Sequence, residues 1–318
     1  MLKQAGSKTG IVAALASALF LGLAPVFGKL AIIGGFSPLA VVALRTCFAA
    51  GFLLILVAIF KRSYLYIYPA GLAGCALAGA INGVGSILYY LALGWLPASV
   101  GQLLYSSYPL FLVVWLVLDR QPPTRLTFLR LSIAIIGVLM LTCPTPAGIE
   151  WQGVVLMLGA AALYALHLPI NQRVLYDIPA PTVTLYTLLA MSVVVLPVFL
   201  LFDSLPLNTA APWWPLLALT LVTFLSRLTL FLGVKHLGGM QTALLGLGEL
   251  FVTIILGHVW LHETLILPQW IGAVLLGVSL ILIGFEKIER DKYHPTGRWL
   301  NWLRPPEVPP EIPWGPHE

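Results

Sequence analysis

The chain is divided into ten apolar stretches of about 20 residues, each bounded by charged residues, proline or glycine. A helix needs about 20 apolar residues to cross the hydrocarbon core of a bilayer. Hydrophobic residues make up 59% of the 318 residues and charged residues 9%, well below the roughly 25% of soluble proteins. We therefore expect an all-α integral membrane protein with ten transmembrane helices, at 10–34, 38–60, 66–94, 97–119, 125–144, 152–174, 180–202, 213–235, 239–261 and 267–286.

The positions of the basic residues predict how these helices are oriented. With both termini in the cytoplasm, the 17 Lys and Arg residues all lie on the cytoplasmic side or at its edge, except for three within spans, Lys29, Arg45 and Arg227. The loops on the opposite side contain no basic residue, and their charged residues are Glu150, Asp203 and Glu263. By the positive-inside rule, this asymmetry predicts a multi-pass protein of the cell (inner) membrane with cytoplasmic N- and C-termini.

Two blocks of sequence recur later in the chain at nearly the same offset. The block ALFLGLAPVFGKL at 18–30 aligns with ALYALHLPINQRV at 162–174, so that Lys29 corresponds to Arg173. The block LGWLPASVGQLLYSSYP aligns with VKHLGGMQTALLGLGEL further along the chain. Two matches in the same order indicate an internal duplication.

The duplication predicts the domain organisation. Each copy contains five spans, an odd number, so the second copy must cross the membrane with the opposite polarity. We expect a first five-helix repeat at 1–146 and an inverted second repeat at 147–286. The remaining residues, 287–318, are rich in proline and are expected to form a cytoplasmic tail.

Inverted repeats place a binding site near the middle of the bilayer, at the interface between the repeats. Polar side chains within spans should face that interior, because exposure to lipid costs several kcal/mol. Polar residues at helical spacing predict one central cavity lined by Asn82, Ser86, Tyr89, Gln102, Tyr105, Tyr164, His167, Asn171, Arg227, Thr242, Glu249 and Thr253, with Thr220 and Thr223 on the stripe of Arg227. For each of them a hydrogen bond that only joins two helices is an open alternative.

Glu249 is the only acidic residue deep within a predicted span, and Arg227 lies at a similar depth in the preceding antiparallel span. A lone carboxylate at mid-membrane costs about 2.5–3.5 kcal/mol even on the lenient insertion scale, so it must be paired, hydrated or protonated. Two interpretations are open. Glu249 can face the cavity as the counter-charge of a substrate or as a proton carrier, or it can form a permanent ion pair with Arg227 that fixes helix packing.

The order and spacing of four segments resemble the drug/metabolite transporter superfamily, specifically its EamA-type ten-span transporters. The segments are GFSPLAVVALRTCFAAG at 35–51, LALGWLPASVGQLLYSSYPLFLVVWLVL at 91–118, GELFVTIILGHVWLHETL at 248–265 and WIGAVLLGVSLILIG at 270–284. The resemblance covers nearly all of residues 10–286. It implies export, exchange or uptake of small metabolites and, because an arginine is common at the place of Arg45 in this family, a structural role for that residue.

Two charges in the outer halves of the first two spans are expected to be gating or structural. Lys29 either snorkels to the outer headgroups or contributes to a gate or an anion contact. Arg45 is placed in the same class of gating or structural charges.

We therefore expect a secondary transporter, as an exporter, exchanger or facilitator, of small polar metabolites such as amino acids or cationic compounds. It would work by alternating access around the central cavity. Expected partners are a small-molecule substrate and the lipid bilayer, and Glu249 offers a route to proton coupling. Nucleic acid, cofactors, metals and catalytic residues are not expected, and the chain is expected to be a monomer or a homodimer.

Two alternatives are open. One is a carrier of nucleosides or sugar phosphates. The other is an intramembrane enzyme with an outer-face site at His258, His262 and Glu263, although this segment lacks the glutamate of an HExxH motif and has no evident third ligand.

Overall fold

The computed structural model describes residues 2–108, 110–111, 114–115, 125–142, 150–203, 211–237 and 248–282. All regular secondary structure in these residues is helical. Apart from a 3₁₀ turn at Arg62–Leu65, it consists of α1 (Leu2–Ile33), α2 (Pro38–Phe60), α3 (Pro69–Trp95), α4 (Ala98–Tyr105), α5 (Arg125–Leu141), α6 (Trp151–Asp177), α7 (Ala180–Phe202), α8 (Trp214–Leu237), α9 (Gly248–Leu261) and α10 (Leu267–Ile281). The predicted helical fold class is confirmed.

Proline residues mark the beginnings of two membrane-spanning helices. Pro38 and Pro69 occupy the first turns of α2 and α3, where a missing amide hydrogen costs nothing. Ser37 caps α2, because its hydroxyl accepts a hydrogen bond from the Ala40 amide at 3.0 Å. The observed bounds of α2 coincide with the predicted second span.

Among the described residues, six helices are long and apolar enough to cross a bilayer, namely α1, α2, α3, α6, α7 and α8. Shorter apolar stretches lie in α5, α9 and α10. Large apolar side chains on the outer surface, such as Val193 and Leu201, are more than 70% exposed, as expected for side chains that face lipid. The other four predicted spans extend beyond the described residues, so the number of ten spans and the N-in, C-in orientation stay predictions.

The packing of the helices is nearly unchanged when α1–α5 are exchanged with α6–α10. The contact of α1 with α8 corresponds to that of α6 with α3, and the contact of α1 with α9 corresponds to that of α6 with α4. In the same way α2 packs on α8 as α7 packs on α3, while α2 contacts α7 and α5 contacts α10. This is the arrangement expected of a duplicated five-helix unit. The inversion of the copies and their boundaries stay predictions, and the tail at 287–318 lies outside the described residues.

The pair α5 and α10 approaches closely through two glycines. A Cβ atom at Gly272 would lie 2.6 Å from the carbonyl oxygen of Gly137, and a Cβ atom at Gly137 would lie 3.1 Å from the carbonyl oxygen of Gly272. Small residues that face each other in this way let helix backbones touch within a membrane.

Candidate functional site

A polar cavity of about 60 Å³ lies between the two halves of the protein. It is bordered by residues of α1, α2, α3, α4, α6, α8 and α9. A cavity needs about 10–15 Å³ to hold one water molecule, so this one has room for a few. Its lining includes eight of the residues predicted to line a central cavity, Ser86, Tyr89, Gln102, Tyr105, Tyr164, Thr223, Arg227 and Glu249.

Glu249 forms the acidic side of the cavity. It is 7% exposed and lies in the first turn of α9. Gln102 of α4 interacts with the Glu249 carboxyl group through its side chain, and its amide oxygen accepts a hydrogen bond from Tyr89 Oη at 3.0 Å. The backbone of α1 comes close here, since a Cβ atom at Gly22 would lie 2.6 Å from the Glu249 carbonyl oxygen. The carboxyl group thus contacts Gln102 of α4, which Tyr89 of α3 holds in turn, at a close contact of α1 with α9.

Arg45 contributes one positive charge to the same cavity. Its Nη1 donates a hydrogen bond to Thr223 Oγ1 at 3.0 Å, and its guanidinium carbon lies 4.6 Å from the centre of the Tyr90 ring. The side chain is 6% exposed, and its Nε has no hydrogen-bond partner. Although it was expected to be a gating or structural charge, Arg45 lines the cavity.

Arg227 contributes the second positive charge and is held by α6. Its Nη1 lies 3.4 Å from His167 Nε2, and its guanidinium carbon lies 5.8 Å from the Tyr164 ring centre. His167 Nδ1 lies 2.7 Å from the Tyr164 carbonyl oxygen. Because that oxygen can only accept, Nδ1 carries the hydrogen and Nε2 is free to accept from Arg227. His167 is therefore neutral. It lies behind the cavity lining and orients Arg227, which lines the cavity.

Glu249 and Arg227 line one cavity, but no ion pair joins them within the described part of the chain. The recorded contacts of Arg227 are with His167 and Tyr164, and the Glu249 side chain interacts with Gln102.

Aromatic rings form a continuous wall beside the charges. The Tyr105 ring centre lies 4.9 Å from that of Tyr89 and 5.1 Å from that of Tyr164. Tyr108 closes the group at 4.9 Å from Tyr164. Such a wall gives a substrate apolar surface and hydroxyl groups together.

Other predicted lining residues have contacts elsewhere. Thr253 Oγ1 donates to the Gly22 carbonyl oxygen at 2.8 Å and so joins α9 to α1. Asn82 Nδ2 contacts Met191 Sδ at 3.0 Å. Asn171 is 2% exposed, and neither side-chain polar atom has a partner. None of them lines the cavity, nor does His167. Thr242 lies outside the described residues.

Five lining residues did not follow from the sequence, namely Leu21, Ala24, Pro25, Tyr90 and Ser226. Tyr90 and Ser226 each adjoin a predicted residue, Tyr89 and Arg227. A stripe at helical spacing selects one face, whereas this cavity meets a wider arc of α3 and α8. The three residues of α1 carry no polar side chain that could have marked them.

The end of α3 and the start of α4 are bound by two charged side chains. Lys29 Nζ donates hydrogen bonds to the carbonyl oxygens of Leu93 at 2.8 Å and Leu96 at 2.9 Å. The Glu263 carboxylate accepts from the backbone amides of Ala98 at 2.6 Å and Ser99 at 2.9 Å. Lys29 was expected to be a gating or structural charge, and in the structure its ammonium group contacts the last turn of α3.

The segment proposed for an outer-face enzyme site is occupied by these contacts. His258 Nδ1 lies 3.1 Å from the Glu263 backbone oxygen, and the Glu263 carboxylate binds α4. Within the described residues, no group of three His, Cys, Asp or Glu side chains is arranged to hold a metal.

Comparisons with known proteins agree with the helical fold and the duplication. The family model described as the EamA-like transporter family matches twice, at residues 8–143 and 151–285. The chain is 26% identical over 218 residues to a protein named "Uncharacterized transporter sll1319" from Synechocystis sp. (strain ATCC 27184 / PCC 6803 / Kazusa), a match covering 64% of this chain. The chain spans 63% of the length of that relative.

One solved crystal structure shares the fold. It superposes with a TM-score of 0.61 at 17% sequence identity and covers 87% of this chain and 97% of the other.

Proposed function

Because the chain belongs to the EamA-like transporter family, we propose that it is a secondary transporter that moves a small polar metabolite by alternating access around the central cavity. The observation that carries this proposal is the burial of Glu249, Arg45 and Arg227 around one polar cavity between the two halves. Ionisable groups within a membrane are costly and mark a transport pathway when they face such a cavity.

The proposed carrier has ten spans in two inverted repeats, with both termini in the cytoplasm. In a background without Cys47, Cys75 and Cys143, an impermeant maleimide added outside intact cells should label Glu150→Cys and leave Lys61→Cys unlabelled. Both positions are exposed. Labelling in the reverse pattern would overturn the orientation.

The proposed substrates are amino acids or cationic compounds, transported by export, exchange or facilitated flux, with Glu249 as the counter-charge or the proton carrier. Purified protein in proteoliposomes should exchange a radiolabelled substrate against the same unlabelled compound. Panels of amino acids, quaternary amines, nucleosides and sugar phosphates test the classes. If no panel member gives protein-dependent counterflow, the carrier proposal fails.

The second candidate, a carrier of sugar phosphates or similar anions, is favoured by the two arginines in the cavity. Their geometry is the basis of the next inference.

A further inference from the structure

In the described part of the chain, the two arginines of the cavity are buried without an acidic partner. Arg45 is 6% exposed and Arg227 is 9% exposed. No Asp or Glu of the described residues forms an ion pair with either guanidinium. Glu249 interacts with Gln102, and Glu263 accepts from the amides that begin α4. An uncompensated buried charge is strongly destabilising, so this pair calls for an anion from outside the described fold.

The contacts that the arginines do make leave them charged and incompletely bonded. Thr223 accepts one hydrogen bond from Arg45, and His167 contacts Arg227 at 3.4 Å. Both acceptors are neutral, and a guanidinium offers five N–H donors. Arg45 Nε is buried and has no partner. Among the described contacts, some N–H donors of the two guanidinium groups beside the cavity therefore remain without an acceptor.

The two guanidinium groups also lie close enough to repel each other. The rings of Tyr90 and Tyr164 beneath them offer cation–π contacts, which add attraction without cancelling charge. One oxyanion between the guanidiniums would relieve the repulsion and use the free donors. Even with Glu249 ionised, the two arginines leave one positive charge in excess.

We infer that Arg45 and Arg227 form an oxyanion subsite, and that the transported molecule carries a carboxylate or a phosphoryl group that binds between them. The inference rests on the proposed carrier function and names the class of its substrate. Guanidinium groups suit these anions because their N–H donors match the oxygen geometry. Thr223 also lines the cavity, and its hydroxyl group, which accepts from Arg45, keeps a hydrogen that it can donate to the anion. Glu249 then faces the opposite end of the substrate, where a protonated amine or a hydroxyl group fits.

The test measures the thermal stability of the purified full-length protein in detergent at constant ionic strength. The probes are sodium acetate, inorganic phosphate and choline chloride, titrated in place of sodium chloride. Acetate or phosphate should raise Tm saturably, and choline chloride should not. A response to acetate alone indicates a carboxylate substrate, and a response to phosphate alone indicates a phosphorylated one. Stabilisation by choline only, or by no probe, overturns the subsite.

Variants assign the effect to the two arginines. Arg45→Gln and Arg227→Gln should each raise the half-saturating anion concentration by about tenfold or more, since each loses charge-assisted hydrogen bonds. Arg62→Gln is the matched control, because Arg62 is exposed in the 3₁₀ turn that follows α2, where its Nε donates to the Ala58 carbonyl oxygen. Arg227→Lys keeps the charge and serves if the glutamine variant fails to fold. An equal anion response in Arg62→Gln and in both cavity variants overturns the subsite.

Flux separates this inference from the carrier proposal. Anion binding that depends on the arginines, without counterflow of any substrate, leaves the subsite standing and removes the carrier function. Counterflow of a purely cationic compound that is unchanged in Arg45→Gln and Arg227→Gln keeps the carrier and removes the subsite.

Discussion

Lys29 and Glu263 bind opposite sides of the same turn between α3 and α4. Lys29 Nζ donates to the last carbonyl oxygens of α3, and the Glu263 carboxylate accepts from the first amides of α4. Each charge meets helix-end groups of the opposite polarity, which have no partner within their own helix. The turn fixes the start of α4 and therefore the place of Gln102 and Tyr105 in the cavity wall.

Replacement of Lys29 by methionine should destabilise the protein by about 1–3 kcal/mol, because buried carbonyl groups lose a charged donor. The measurement is Tm of the purified protein. Lys29→Arg keeps the charge and the donors and is expected to lose less. If Lys29→Met is as stable as the parent protein, then the Lys29 ammonium group does not bind the end of α3 in the purified protein.

Replacement of Glu263 by glutamine should cost about 0.5–2 kcal/mol, the range for loss of a helix cap, since the amide keeps one acceptor and loses the negative charge. Glu150→Gln is the control, because Glu150 also directly precedes a helix, and within the described residues its side chain makes no cap bond. Equal Tm values for the two variants would contradict the cap.

Replacement of Gly272 by alanine should destabilise the contact of α5 with α10 by about 1–3 kcal/mol, because the new Cβ would overlap the Gly137 backbone. Gly277→Ala is the matched control in the same helix, where a Cβ atom meets nothing within 4 Å. Thermal unfolding in detergent should therefore separate two identical substitutions on one helix. Alanine has the higher helix propensity, so Gly277→Ala should keep or raise Tm. A Tm that is unchanged or raised to the same extent in both variants would contradict the close contact at Gly272.

Replacement of Glu249 by glutamine should lower counterflow by about tenfold or more while folding is kept, because the neutral amide fills the same space next to Gln102 without a charge or a transferable proton. Glu150→Gln again serves as the control. The flux should also lose its dependence on pH if Glu249 carries the proton. Unchanged flux and unchanged pH dependence in Glu249→Gln would falsify its role as counter-charge or proton carrier.

Sequence reasoning predicted the helical class and much of the cavity, for a physical reason. A polar side chain within an apolar run must find a polar environment, so Glu249, Arg227 and Gln102 could be assigned to the interior before any contact was known. The duplication could also be predicted, because two blocks of the sequence align with later blocks at nearly the same offset.

The remaining residues were decided by contacts between helices, which no local pattern encodes. Thr253 lies one turn from Glu249 on the same face of α9. Because α1 comes close at Gly22, the Thr253 hydroxyl donates to the Gly22 carbonyl oxygen instead of facing the cavity. For Lys29 the sequence left a headgroup contact, a gate and an anion contact open, because a sequence does not show which carbonyl groups at the end of α3 lie within its reach. Arg45 proved to line the cavity because α2 is turned so that its guanidinium meets Thr223 of α8.

The exchange symmetry of the packing bears on how such a chain can have arisen. The extensive contacts of α1 with α8 and of α3 with α6 both cross between the two halves. A five-helix half made alone would leave these faces of α1 and α3 uncovered, and its cavity would lack either Glu249 or Arg45. An ancestor of half this length would have had to function as a pair of chains. Fusion of two such genes would then have allowed the two copies to diverge. The second half carries Glu249 and Arg227, and the first half carries Arg45.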